Sequence, residues 1–256
     1  MDSDLCFKSP VMQHRLLVVL ALFMLPVVLA APTASPEKVL RMGIHNFPPD
    51  FVVSADGKRC AGEGYVLAQR IFAKAGFKLK AVCTTPARMY LLLDQGEVDF
   101  SINIKTTAAI SRKHQFVEPA YMSMQLMLYS HAPSSTAPQD KTIAAIRSFD
   151  YLGQRQQLLQ QGYQLVDMPD SISAIQLFLH QRTQYLISYQ GPFVAYTGQQ
   201  ATDVVDVKQK KLAEIDAYFV VSAASAYQQR IIEVVQQYAR AHSCSYLKGC
   251  DTATIP

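Results

Sequence analysis

Tryptophan is missing from the 256-residue sequence, and charged side chains make up only 17% of it. Half of the residues are hydrophobic, a balance that excludes a disordered chain and fits an ordinary globular one. The length suits one large domain or two small ones. Concentrated positive charge is also scarce. The 24 Lys and Arg outnumber the 20 Asp and Glu by four, yet the cations are scattered, with Lys208, Lys210 and Lys211 as the one tight group. A nucleic-acid surface needs a basic stripe interleaved with aromatics, so no nucleic-acid partner is expected. The pattern CxxC is absent, which argues against a metal site. So are GxSxG, HExxH and the phosphate-binding loop. The glycine pair at 62–64 has no phosphate-loop context, and Glu63, Asp99 and Glu118 are dispersed carboxylates. No catalytic residue, metal or cofactor is expected, and the chain is not read as an enzyme.

Long apolar runs are limited to one, LLVVLALFMLPVVLA at 16–30, preceded by His14 and Arg15 and followed by Ala31 and Ala34. A charged start, about 15 apolar residues and a small-residue exit describe a secretory signal peptide, cleaved before Ala31 with Val28 and Ala30 at the recognition positions. The run is short for a membrane span and Pro26 interrupts it. Met12 is a candidate true start. No second long apolar run occurs, so the mature chain is expected to be soluble and periplasmic. Export changes the meaning of Cys60, Cys83, Cys244 and Cys250, since an even set in an oxidising compartment reads as disulfides. Three pairings are open. Short loop closure favours Cys60–Cys83 and Cys244–Cys250.

Hydrophobic periodicity gives the order of elements. KVLRMGIH at 38–45 reads as a strand, GYVLAQRIFAKAGF at 64–77 as a helix, KLKAVCT at 78–84 as a strand. ARMYLLLDQG at 87–96 reads as a helix and VDFSINI at 98–104 as a strand. This β-α-β-α-β run predicts an α/β layer with parallel strands. The rhythm repeats with strands at 142–146, 164–168 and 185–189 and helices at 151–161 and after Asp170, then ends on IDAYFVVS and an amphipathic helix at 226–241. The first unit has only three strands, so the C-terminus is expected to return and complete it. The chain then crosses between two lobes near 121–129 and 215–220, leaving a central cleft for a ligand.

Five motifs stand in order: VLRMGIHNFPPDF, ADGK, GYVLAQRIFAKAGF, GEVDFSINIKTT and SRKHQFVEPAY. Together they resemble the family 3 extracellular solute-binding proteins, the receptors of amino-acid ABC importers, over most of 37–121 and more loosely over 141–240. The resemblance implies a two-lobe periplasmic-binding-protein-like fold of type II. Lobe 1 spans 37–121 and returns as 218–256, and lobe 2 spans 122–217. It implies a small-molecule solute, an ABC permease or membrane sensor as partner, and a monomer.

Site residues carry over by position. Arg112 fills the place of the family's carboxylate-binding arginine, with one extra residue between Asp99 and it. Asn103, Lys105, Thr106 and Thr107 sit where backbone and hydroxyl groups meet the same carboxylate. Phe47 matches the stacking aromatic. Arg147 and Ser148 follow the first strand of the second lobe, and Arg88 follows the second strand of the first. The family's ammonium-binding aspartate is replaced by Tyr189 and Gln190, and its small turn by bulky Phe149 and Tyr151. Neither Tyr189 nor Gln190 is charged, and burying an unpaired ammonium is costly. The expected solute is therefore a small carboxylate-bearing molecule rather than a standard α-amino acid. Two alternatives are a ligand-sensing partner of a membrane receptor and a dehydratase-like enzyme on the same scaffold.

Overall fold

The computed structural model describes residues 38–132, 141–200 and 207–250. The expected export leader at 1–30 lies outside the described residues. Among the described residues no helix is long and apolar enough to cross a membrane.

The first half opens with β1 (Lys38–Ile44) and a two-strand ribbon, β2 (Val52–Val53) and β3 (Cys60–Ala61). Helix α1 (Glu63–Ala73) follows, burying Leu67, Ala68, Ile71 and Phe72 at helical spacing. Gly76 then takes a φ of 79°, a left-handed turn that suits glycine, and turns the chain into β4 (Phe77–Cys83). Helix α2 (Pro86–Gln95) starts on a proline, whose missing N–H costs nothing there, and stops at left-handed Gly96. β5 (Phe100–Ile104) is buried at every position, as a central strand covered on both faces requires. The long β6 (Gln115–His131) then leaves this half.

The second half holds β7 (Thr142–Ile146), α3 (Gln154–Gln160), β8 (Gln164–Met168), α4 (Ser171–Leu179), β9 (Tyr185–Tyr189) and α5 (Gln190–Gln200). Asp170 caps α4 by accepting from the Ser173 amide at 2.8 Å. α3 begins three residues later than the sequence pattern suggests, because Tyr151, Leu152 and Gly153 have φ values of 53°, 58° and 79°. β10 (Val207–Val221) returns to the first half and α6 (Gln228–Ala241) packs there. Ser225 does not cap α6 in the usual position. Its Oγ accepts from the Tyr227 amide and donates to Asp99.

One eight-stranded sheet results, in the order β4-β1-β5-β10-β6-β9-β7-β8. Each outer trio is parallel inside, and β10 and β6 run antiparallel between them along almost their whole length. Their ladder shifts register between Lys211 and Ala213 and between Ala217 and Phe219. The halves are thus two α/β layers joined by a pair of strands, with a cleft where the carboxyl ends of β1, β5, β7 and β9 converge. Open parallel sheets place ligands at those ends. Phe72, Phe100 and Phe219 form the ring cluster of the first core, with centroids 4.9 and 5.6 Å apart, and Tyr129 stacks on Phe193 at 3.9 Å in the second. Cys60 is bonded to Cys83, tying β3 to the end of β4, and Cys244 to Cys250 in the C-terminal segment. That segment is clipped to β6 by the amides of Leu247 and Lys248, which donate to the carbonyls of Ala120 and Tyr121.

Candidate functional site

The first wall of the cleft is the loop after β1. Phe47 and Phe51 exchange both backbone hydrogen bonds, at 2.8 and 3.0 Å, closing a tight hairpin around the two prolines. Asn46 Oδ1 accepts from the Val53 amide, and Asp50, almost wholly buried, accepts from the Tyr121 hydroxyl and Lys248 Nζ, both at 2.6 Å. The loop is therefore fixed by groups on β2, β6 and the C-terminal segment, which holds His45 and Phe47 at the mouth of β1. Asn103 stands beside them on β5. Its Oδ1 accepts from Thr107 Oγ1 at 2.9 Å and its amide reaches Tyr90 on α2.

The second wall is the turn after β7 together with the end of β9. Ser148, Tyr151 and Leu152 all carry positive φ, a conformation costing on the order of 1–3 kcal/mol per non-glycine residue unless its surroundings enforce it. They do. The Ile146 amide donates to the Tyr151 hydroxyl at 2.6 Å. Arg155 donates through Nε to Phe149 O and through Nη2 to both Ile146 O and Asp167 Oδ1. Phe149 and Tyr151 are thereby aimed at Tyr189. Replacing Arg155 with alanine takes the guanidinium from Phe149 O and leaves Ile146 O with only the Phe149 amide, and is expected to cost about 2 kcal/mol in urea unfolding. Asp167→Ala removes only a half-exposed ion pair and should cost below about 1 kcal/mol.

Across the seam the walls touch. Ser171 Oγ donates to Asn46 O at 3.1 Å, and the rings of Phe47 and Tyr189 are 5.5 Å apart. A cavity of about 40 Å³ remains, lined among others by His45, Phe47, Asn103, Met124, Phe149 and Tyr189. That volume has room for little more than water, so the aromatic side chains fill the cleft. Burial lowers the His45 pKa to about 4, partly opposed by Asp170. It raises that of Tyr90 to about 12 and that of Tyr189 well above normal, with the charge of Asp150 adding to both. A second, polar cavity of about 430 Å³ lies beside Asn46, Ser54, Thr84, Thr85, Arg88 and Asp170. It brings a cation from the start of α2 and an anion from the start of α4 to one place.

The sequence-derived residues divide accordingly. Phe47, Asn103 and Tyr189 line the inner cavity, Arg88 lines the polar one, and Thr107 is buried against Asn103. Gln190 opens α5 half-buried. Lys105 pairs with Glu118 and lies 4.0 Å over the ring of Tyr218. Thr106, Arg112, Arg147 and Ser148 are exposed and belong to neither cavity. Asp170, which lines the polar cavity, and Tyr90, Asp150 and Arg155, which stand behind the lining, carry no sequence signal as site residues, because only the packing of α2 and the winding of the turns before α3 and α4 place them there. Among the described residues no cluster of three or more metal-ligating side chains occurs.

No family model matches the sequence, and no curated protein is similar to it at a significant level. Solved structures are similar in fold. A histidine kinase sensor domain with similarity to periplasmic binding proteins superposes with a TM-score of 0.66 at 16% identity, over 85% of this chain and 95% of that one. A putative ABC-transporter binding component from Wolinella succinogenes, complexed with lysine, gives 0.65 at 16% identity, over 84% and 94%. A mutant of ArgBP from T. maritima gives 0.63 at 16% identity, over 84% and 93%. These are binding and sensing proteins rather than enzymes. The fold of this chain is that of the periplasmic solute-binding proteins.

Proposed function

We propose that the chain is an exported solute-binding protein that closes on a small polar, carboxylate-bearing solute and hands it to an ABC importer. The observation that carries this reading is the meeting of side chains from both halves, Phe47 against Tyr189 and Asn46 against Ser171, at the carboxyl ends of the parallel strands. Residues 37–121 with 218–256 form one moving lobe and 122–217 the other. The carboxylate goes to the polar cavity, where Arg88 stands in the first turn of α2 and the Thr85 side chain does not cap the helix. Free amides and a guanidinium at a helix start favour an anion.

Thermal unfolding with a panel of organic acids and amino acids tests this. A solute present at a hundred times its Kd stabilises by about 2.7 kcal/mol. Arg88→Ala should weaken its binding at least about tenfold, the scale of one charge-assisted contact. Silence across the panel removes the reading. Loss with Arg112→Ala and none with Arg88→Ala moves the carboxylate to Arg112.

The likeness to a kinase sensor domain favours a second reading, in which the partner is a membrane receptor. Solute-dependent capture of a receptor ectodomain, with no capture of a permease, selects it. Either way the protein acts as a monomer, exported to the periplasm.

A further inference from the structure

Four rings form a closed circuit across the seam. The centroids of His45 and Phe47 are 6.1 Å apart, of Phe47 and Tyr189 5.5 Å, of Tyr189 and Phe149 6.3 Å, and of Phe149 and His45 6.3 Å. Two of the rings come from each half. Arg and Lys are absent from the lining of the cavity they surround, and His45 stays neutral near pH 7. Next to Phe149 in sequence is Asp150, one of whose carboxylate oxygens is buried without a hydrogen-bond partner. A buried carboxylate oxygen with no partner asks for a donor, and Asp150 is close enough to Tyr189 and Tyr90 for its charge to act on both.

We infer that the aromatic quartet, with Asp150 beside it, receives the cationic head of the solute, an ammonium or alkylated ammonium group. Ring faces attract cations through their quadrupoles, most strongly when water is excluded, and the negative charge of Asp150 adds to that attraction. With the halves in contact the four rings pack on one another. Parting the halves opens a slot with two rings on each side, and a compact cation refills it on closure. The inference rests on the solute-binding reading above and supplies the other end of its ligand, with the carboxylate at Arg88 and the cation among the rings.

Two pairs of probes, matched in shape, isolate the charge. N,N,N-trimethylglycine and 3,3-dimethylbutanoate differ only in nitrogen for carbon, as do β-alanine and butanoate in their terminal group. Calorimetric titration should show at least one ammonium probe binding about tenfold or more tightly than its carbon counterpart. Phe149→Leu and Asp150→Asn should each erase most of that preference. Asp150→Asn should also leave the empty protein as stable as before or more so, which separates lost recognition from lost folding. Equal affinities within both pairs, or binding of organic acids alone, overturn the cation site while leaving the solute-binding reading in place. A preference that survives both substitutions overturns it as well. If no small acid or amine binds, both readings fall together.

Discussion

Asp99→Ala is expected to destabilise the protein by about 3 kcal/mol and to leave solute affinity nearly unchanged. The side chain is 3% exposed. Its Oδ2 accepts from the Arg41 amide and Nε, at 2.8 and 3.0 Å, and its Oδ1 from Arg41 Nη2 and Ser225 Oγ, at 3.0 and 2.8 Å. One carboxylate thereby ties β1, the turn before β5 and the loop after β10. Each buried donor left without a partner costs about 1–3 kcal/mol. The Arg41 guanidinium, at 39% exposure, recovers much of its solvation and contributes less. The amide of Arg41 and the hydroxyl of Ser225 do not recover theirs. Asp99 precedes β5 at the end away from the cleft, so its loss should appear in urea or thermal unfolding and spare binding. Asp99→Asn keeps the shape and some of the acceptors and should cost less. A loss below about 1 kcal/mol for the alanine variant would show that the network is dispensable.

Acid should weaken the protein through His45, and the sign follows from proton counting. The unfolded ring titrates near 6.5 and the folded one near 4, so between those values the unfolded chain binds more protons. The stabilising contribution of the neutral, buried ring is complete above pH 6.5 and is lost as the pH falls toward 4. The whole difference amounts to about 3 kcal/mol. Carboxylates also titrate near the lower end of this window, so the informative quantity is the difference between the wild-type curve and that of His45→Gln. The two should run together above pH 7 and separate between 6.5 and 4, with the variant losing less. Parallel curves would mean that the ring charges without cost, as an open seam would permit. Solute affinity should fall over the same interval, because a charged ring among Phe47, Phe149 and Tyr189 repels a cation and demands water.

The α/β alternation, the return of the C-terminus and the crossing of two segments between halves were all legible in the sequence. Period-2 and period-3.6 patterns report burial, and burial is what those elements have in common. Less visible were the lengths of β6 and β10. In β10, residues 207–211, VKQKK, are mostly exposed, so little hydrophobic alternation marks them, and pairing with β6 holds them as strand instead. The lining of the candidate cleft was legible in part. Asn103, Tyr189 and Arg88 occupy strand ends or a helix start, positions fixed by element boundaries, and Phe47 sits in the short loop after β1 beside two prolines that mark it. Asp150 and Arg155 lie in and just after a turn with three positive-φ residues that are not glycine. No local propensity announces that turn, because the hydrogen bonds that enforce it come from residues farther along the chain.

The two strands that join the halves are not slack tethers. β6 and β10 are hydrogen-bonded to each other through the seam and to β9 and β5 on their outer sides. A body built this way cannot swing on loose peptide; it has to flex a stiff ribbon. Stiffness is lowest where the ladder skips a residue, between Lys211 and Ala213 and between Ala217 and Phe219. On the proposed opening of the halves, those two skips are the natural flexure points, and the elastic cost of bending there would set how far the aromatic walls separate and how quickly they shut.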